Sequence, residues 1–206
     1  MSQNKRITVT IEGVTPLICN RFTDAQAMKA SSGSTITTVG DRGTPQEIAT
    51  EKLYTDIDGD PCIPQPNIFR AIIDAGKFFK AGKSKITTMK SSLIPSCVDM
   101  AAVSYKIEHE QPWTVDTRPV RIPATGGRIL AHRPSFHDWK LSFEVILDTT
   151  VIGVKLLREI MDKCGRAIGL GDFRPDCKGP FGKFKVTLWK IEDEGATVEE
   201  EATAKA

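Results

Sequence analysis

The stretch WKLSFEVILDTTVIGVKLLREIMDKCGRAI, residues 139–168, changes its hydrophobic period halfway. Trp139, Leu141, Phe143, Val145 and Leu147 alternate with Lys140, Ser142 and Glu144, the two-residue period of a strand with one buried face. Beyond Val151 the period lengthens. Val154, Leu157, Ile160, Met161, Cys164 and Ile168 share one helical face, so a helix is predicted over 151–168. A turn-rich segment, GLGDFRPDCKGPFG at 169–182, leads into a last strand. Phe184, Val186 and Leu188 carry that strand, with Trp189 and Ile191 nearby.

The same order of elements occurs earlier in the chain. Ile7, Val9 and Ile11 alternate with Thr8, Thr10 and Glu12, and Gly13 to Pro16 bend the chain away. Residues 22–50 lose periodicity and turn polar, the signature of a long flexible insertion. DIDGDP at 56–61 reads as a tight acidic turn. Pro66 then suits a helix's first turn, and Ile68, Ile72, Ala75 and Phe79 recur at helical spacing until Gly82. Residues 97–107 read as a strand on Val103, Tyr105 and Ile107. Residues 108–133, rich in proline, glycine and arginine, read as a long hairpin with Gly126 and Gly127 at its tip.

Strand, helix, strand, strand, helix, strand is the split βαβ order. The predicted fold is therefore α+β: a ferredoxin-like (RRM-like) βαββαβ antiparallel sheet with long loop and hairpin insertions, both helices on one face. Residues 1–192 form one domain in this reading, and 193–206 an acidic disordered tail.

Charge is segregated along the 206 residues. The net charge is only +2, yet residues 61–190 hold 21 basic and 12 acidic side chains, whereas 191–206 hold 1 basic and 6 acidic ones. A basic core points to a polyanion. Five cysteines at irregular spacing (Cys19, Cys62, Cys97, Cys164 and Cys177) fit reduced thiols better than a disulfide framework. With no apolar run long enough to span a bilayer and no secretory leader at the start, the expected setting is cytoplasmic, with no membrane partner. No cofactor and no metal is expected. Asp56, Asp58 and Asp60 resemble a calcium loop, but Gly59 is misplaced and Asn67 stands where a glutamate is needed.

Three basic clusters are candidate nucleic-acid contacts. The first surrounds the glycine-rich turn: Arg166, Gly169, Gly171, Arg174, Lys178, Gly179 and Lys183. Glycines there let backbone amides approach a sugar-phosphate chain, and guanidinium groups bind phosphate in pairs. GxxxxGK[ST] is absent, so this is no nucleotide P-loop. The second is Lys77, Lys80, Lys83, Lys85 and Lys90, interleaved with Phe78, Phe79 and Met89. The third is Arg118, Arg121, Arg128, His132 and Arg133, flanked by Trp113 and Phe136. No strong catalytic signature is present. His132 and His137 are candidate acid–base groups for RNA cleavage, and Asp24 and Asp41 candidate metal or phosphate ligands in the long loop.

On these residues the chain resembles the RAMP superfamily, especially the backbone subunits of CRISPR effectors. The βαββαβ order covers most of the chain. IPQPNIFRAII at 63–73 is similar to that family's first-helix start, with Arg70 in its basic place, and 165–185 is similar to its glycine-rich loop. Gln65, Pro66 and Asn67 replace the usual glycine and serines, as in a diverged relative borne by a phage or mobile element. The resemblance implies single-stranded RNA binding, repeated copies along a guide or other effector subunits as partners, and a thumb hairpin, placed at 112–133. It also implies, for cleaving members, an aspartate after the first strand, where Asp24 and Asp41 lie. The expected function is single-stranded RNA (or DNA) binding. The rivals are an endoribonuclease of the same superfamily and a phage structural or assembly protein.

Overall fold

The computed structural model describes residues 4–23, 27–28, 31–32, 43–121 and 126–193. Its elements, in chain order, are β1 (Asn4–Gly13), β2 (Leu17–Ile18), α1 (Pro45–Glu51), β3 (Cys62–Pro64), α2 (Gln65–Ala75), β4 (Lys80–Ala81) and β5 (Ser84–Lys85). Then follow β6 (Val98–Met100), β7 (Ser104–Lys106), β8 (Glu108–His109), β9 (Thr114–Arg121), β10 (Arg128–Phe136), β11 (Trp139–Asp148), α3 (Val154–Lys163) and β12 (Phe184–Asp193).

The main sheet has the order β12–β1–β11–β6, with β8 also paired to β11. First, third and last strands of the βαββαβ series are thus adjacent, and the second lies at the edge beside the third. This is the ferredoxin-like arrangement, and the fold is α+β. Ile7, Val9 and Ile11 of β1 and Leu141, Phe143, Val145 and Leu147 of β11 are buried on one face. Ile68, Ala71, Ile72 and Ala75 of α2 and Leu157, Ile160 and Met161 of α3 join them in one core. Burying each of the larger aliphatic side chains contributes about 1.5–3 kcal/mol before the entropy of ordering is subtracted.

Four local expectations give way to tertiary packing. The predicted strand 97–107 divides: Val98–Met100 pairs with β11, Ser104–Lys106 pairs with β3, and Glu108–His109 returns to β11. Two sheets compete for this segment, so Val103 is left 86% exposed. The first helix stops at Ala75 instead of running to Gly82. At Gly76, where a Cβ would stand 2.5 Å from Thr87 Oγ1, the helix tightens into a 3₁₀ turn over Gly76–Phe78. Phe79 is already extended, and Gly82 turns the small β4–β5 hairpin. The last strand carries an irregularity at Thr10/Ile11 of β1. Past it Trp189 and Ile191 stand opposite the inward-facing Val9 and Ile7, and Leu188 turns outward, 46% exposed. The second helix is regular over Val154–Lys163 and then widens into one π-type turn at Cys164–Ile168.

Within the predicted insertion 22–50, the structure has a helix, α1. Thr44 accepts from the Glu47 amide while the Glu47 carboxylate accepts from the Thr44 amide at 2.7 Å, a reciprocal capping box. The sequence TPQE carries that signal: a threonine, a proline at the first helical position and a glutamate three residues on. The hairpin expected at 108–133 is β9–β10, running on to Phe136 and tied to β2 by the pairs Ser135–Ile18 and Phe136–Leu17. The acidic tail beyond 193 lies outside the described residues.

Candidate nucleic-acid interface

The turn from Gly169 to Gly182 is built by close backbone contact. A Cβ on Gly179 would stand 1.7 Å from Phe173 O, and one on Gly182 1.8 Å from Leu170 O. No side chain fits in either place. The amides are equally committed: Gly169 donates to Cys164 O, Gly179 to Arg174 O and Gly182 to Pro16 O. The expectation of an open row of glycine amides is therefore corrected. These glycines fold the loop shut, and Gly171 alone of the four keeps an amide that donates to no backbone carbonyl among the described residues. What the loop offers outward is side chains.

Three separate parts of the chain meet on this closed loop. From α2, Arg70 faces a cavity of about 230 Å³ whose other walls include Asn67, Tyr54, Gly171, Asp172 and Arg174. The first turn of α2 has no side-chain cap; its Gln65 amide donates to Val103 O, and Pro66 has no N–H to offer. From the lysine cluster, Lys77 Nζ pairs with Asp176 at 2.7 Å. From the hairpin, Arg118 lies over the Phe181 ring, 4.4 Å from its centroid, and Arg133 Nε stands 3.0 Å from Asp172 Oδ2. That oxygen is buried and its contact with Arg133 is off the line of a directed hydrogen bond, so it is compensated by charge alone. Cys19 also lines the cavity, and burial pushes its thiol up to about 12, leaving it neutral.

The three clusters do not contribute equally. Arg70 is paired with Asp74 at 3.0 Å, Arg118 with Asp116 at 2.8 Å, and Lys77 and Arg133 as given above. Lys80, Lys83 and Lys85 of the β4–β5 hairpin are exposed, as are Lys90 and Lys178; Lys183 is half-buried. Among the described residues none of these six makes an ion pair. Arg166 is exposed and donates to Asp162 O at 3.4 Å. On the β9–β10 hairpin, alternation divides the cations. Arg118 stands opposite Ala131 and Arg133 opposite Asp116, on the face toward the loop, whereas Arg121 and Arg128 pair with each other on the opposite face, near the tip.

The acid–base candidates are not brought together with this surface. His132 lies on the hairpin's other face, its Nδ1 2.8 Å from Thr117 Oγ1, and His137 Nε2 is 3.3 Å from Thr114 Oγ1. Asp24 and Asp41 lie outside the described residues. Among the described residues no group of three His, Cys, Asp or Glu side chains could hold a metal ion, and no helix is long and apolar enough to cross a membrane. Cys19, Cys62, Cys97 and Cys164 are buried free thiols, and Cys177 is exposed.

Sequence reasoning misses the partners that join the clusters. Asp172, Asp176, Asn67, Phe173 and Phe181 sit in turns or at a helix start, and nothing in their spacing shows what they meet across the fold.

No protein-family model matches the chain, and no curated protein matches it. Among solved structures it is similar to a chain in the cryo-EM structure of the Type III-B Cmr-beta bound to cognate target RNA, with a TM-score of 0.57 and 12% identity. The match covers 91% of this chain but 60% of that one, so the protein spans less than two thirds of its neighbour's length. At that identity the likeness is one of fold.

Proposed function

We propose that the chain is a single-stranded nucleic-acid-binding protein, with RNA as its strand, related to the RAMP-superfamily backbone subunits of CRISPR effectors. It works as one domain over 1–192 with an acidic tail, in the cytoplasm, beside further copies of itself or other effector subunits. One observation carries this reading: cations distant in sequence, Arg70 of α2, Lys77 of the lysine cluster and Arg118 and Arg133 of the β9–β10 hairpin, meet at one closed loop. Phosphates would lie on Lys80, Lys83, Lys85 and Lys178, which have no acid partner among the described residues, and on Arg174 and Arg70 at the cavity mouth. The solved neighbour was determined with target RNA bound, which favours RNA over DNA. Cleavage has no comparable support, because His132 and His137 lie apart from the cavity lining.

The test is a fluorescence-anisotropy titration of a single-stranded RNA with the full chain at several salt concentrations. Binding at low salt is expected, with log K falling by about 0.7 per bound phosphate for each unit of log salt. No binding at low salt, or binding indifferent to salt, contradicts the reading.

A further inference from the structure

Phe173 is unusual in three ways. It is not a glycine, yet its backbone is left-handed, with φ of 48°. It is a large apolar side chain left 39% exposed. It is also locked in place. Its amide donates to Asp172 Oδ1 at 2.8 Å and its carbonyl accepts from Phe181 N. Left-handed non-glycine residues held in place in this way cluster at ligand clamps and switch regions.

The surroundings say what the ring meets. The Phe173 and Phe181 centroids are 6.0 Å apart, and Arg118 lies on Phe181, so one side of the aromatic pair is already stacked against a guanidinium. Phe173's chain neighbours, Asp172 and Arg174, both line the 230 Å³ cavity. Lys178, also left-handed, is exposed on the same turn. An aromatic face between cations matches a nucleotide, whose base is flat and apolar on its faces and whose phosphates are anionic.

We propose that Phe173 is the stacking platform for one unpaired base of a bound RNA strand, with the adjoining phosphates on Arg174 and Lys178. The inference rests on the RNA-binding reading above and adds to it the residue that grips a base. It explains why an exposed phenylalanine is held in a left-handed backbone where a glycine would be relaxed.

The experiment uses the full chain and single-stranded RNA oligonucleotides, each with 2-aminopurine at one position. With the native protein, fluorescence is quenched at one or more positions. Phe173→Leu keeps apolar volume against Phe181 but removes the flat ring. It is expected to abolish that quench and weaken affinity about 5- to 150-fold, the range for one stacked base. Phe173→Trp retains both. Leu188→Ser, on the open side of the sheet, changes neither. If native protein binds RNA and Phe173→Leu keeps the full quench and affinity, the inference is overturned and RNA binding stands. If the native protein binds no RNA, the underlying reading falls as well. Should Phe173→Leu fail to fold, Phe173→Trp decides: loss of the quench in the folded tryptophan variant overturns the proposal.

Discussion

The open face of the main sheet and the closed glycine turn lie on the same domain, and their side chains are used in opposite ways. On the sheet, Arg6 pairs with Glu144 at 2.8 Å and Lys185 with Glu12 at 3.3 Å, while Thr10 and Ser142 are 3.1 Å apart. The outward positions Arg6, Thr8, Thr10 and Glu12 of β1 and Lys140, Ser142, Glu144 and Ile146 of β11 hold no aromatic ring. An RRM-like sheet would stack bases there. This face is balanced within itself. The turn instead collects cations from distant segments around two phenylalanines of its own. The fold supplies the platform, but the cations and the exposed ring gather at its loop edge.

The largest expected effect sharpens what the glycines do. Gly182→Ala places a methyl group against Leu170 O at a φ of +66°, so it is expected to cost about 3 kcal/mol or more, or to prevent folding. Gly59→Ala, at a φ of +85° with nothing within 4 Å, is expected to cost only about 1–2 kcal/mol. Chemical denaturation of both variants checks this. Equal costs would mean that the turn is open after all.

Next comes the ion pair that ties hairpin to turn. Arg133→Ala leaves the buried Asp172 oxygen without its cation and is expected to cost about 1–3 kcal/mol, largely recovered in the double variant with Asp172→Asn. A double-mutant cycle read by thermal melting checks it, and additive losses would mean that the pair contributes nothing.

Neutralising Lys80, Lys83 and Lys85 together should leave stability within about 0.5 kcal/mol while lowering the salt slope of RNA binding by about 0.7 for each phosphate that is no longer neutralised. The matching triple change of Lys140, Lys185 and Lys190 on the sheet should leave the slope unchanged. An equal effect from both sets would erase the distinction between the two regions.

The smallest effect concerns α1. Thr44→Ala removes the hydroxyl half of the capping box, leaving the amide bond to Glu47, and is expected to cost about 1 kcal/mol. Hydrogen bonds from the Thr44 amide and then its hydroxyl hold the Glu47 carboxyl below its usual range. A carboxyl depressed by folding stabilises the native state above its unfolded value and loses that contribution as pH falls through the folded one. The part of the difference between Thr44→Ala and the parent chain that comes from the hydroxyl bond to the Glu47 carboxylate should therefore be present at neutral pH and lost in acid. A pH series of melting temperatures checks it.

The parts of the fold legible in the sequence are those where one period runs uninterrupted. Trp139 to Leu147 and Ile7 to Ile11 each face a single partner surface, so alternation is enough. Val103 and Leu188 mislead because a second sheet and a bulge, neither local, reset their direction. Phe79 misleads because the helix tightens into a 3₁₀ turn over Gly76–Phe78 and the chain then extends into the β4–β5 hairpin. The site is half legible. Arginine, lysine and glycine composition marks the right segments, but whether each cation is free or paired depends on acids such as Asp172 and Asp176 that only the folded chain brings opposite them.

The most direct test of where the strand lies is ultraviolet crosslinking of single-stranded RNA to the full chain, with crosslinked peptides identified by mass spectrometry. Crosslinks are expected within 166–183, above all at Phe173, and within 77–90. Crosslinks confined to outward positions of β1, β11 and β12 would contradict the account.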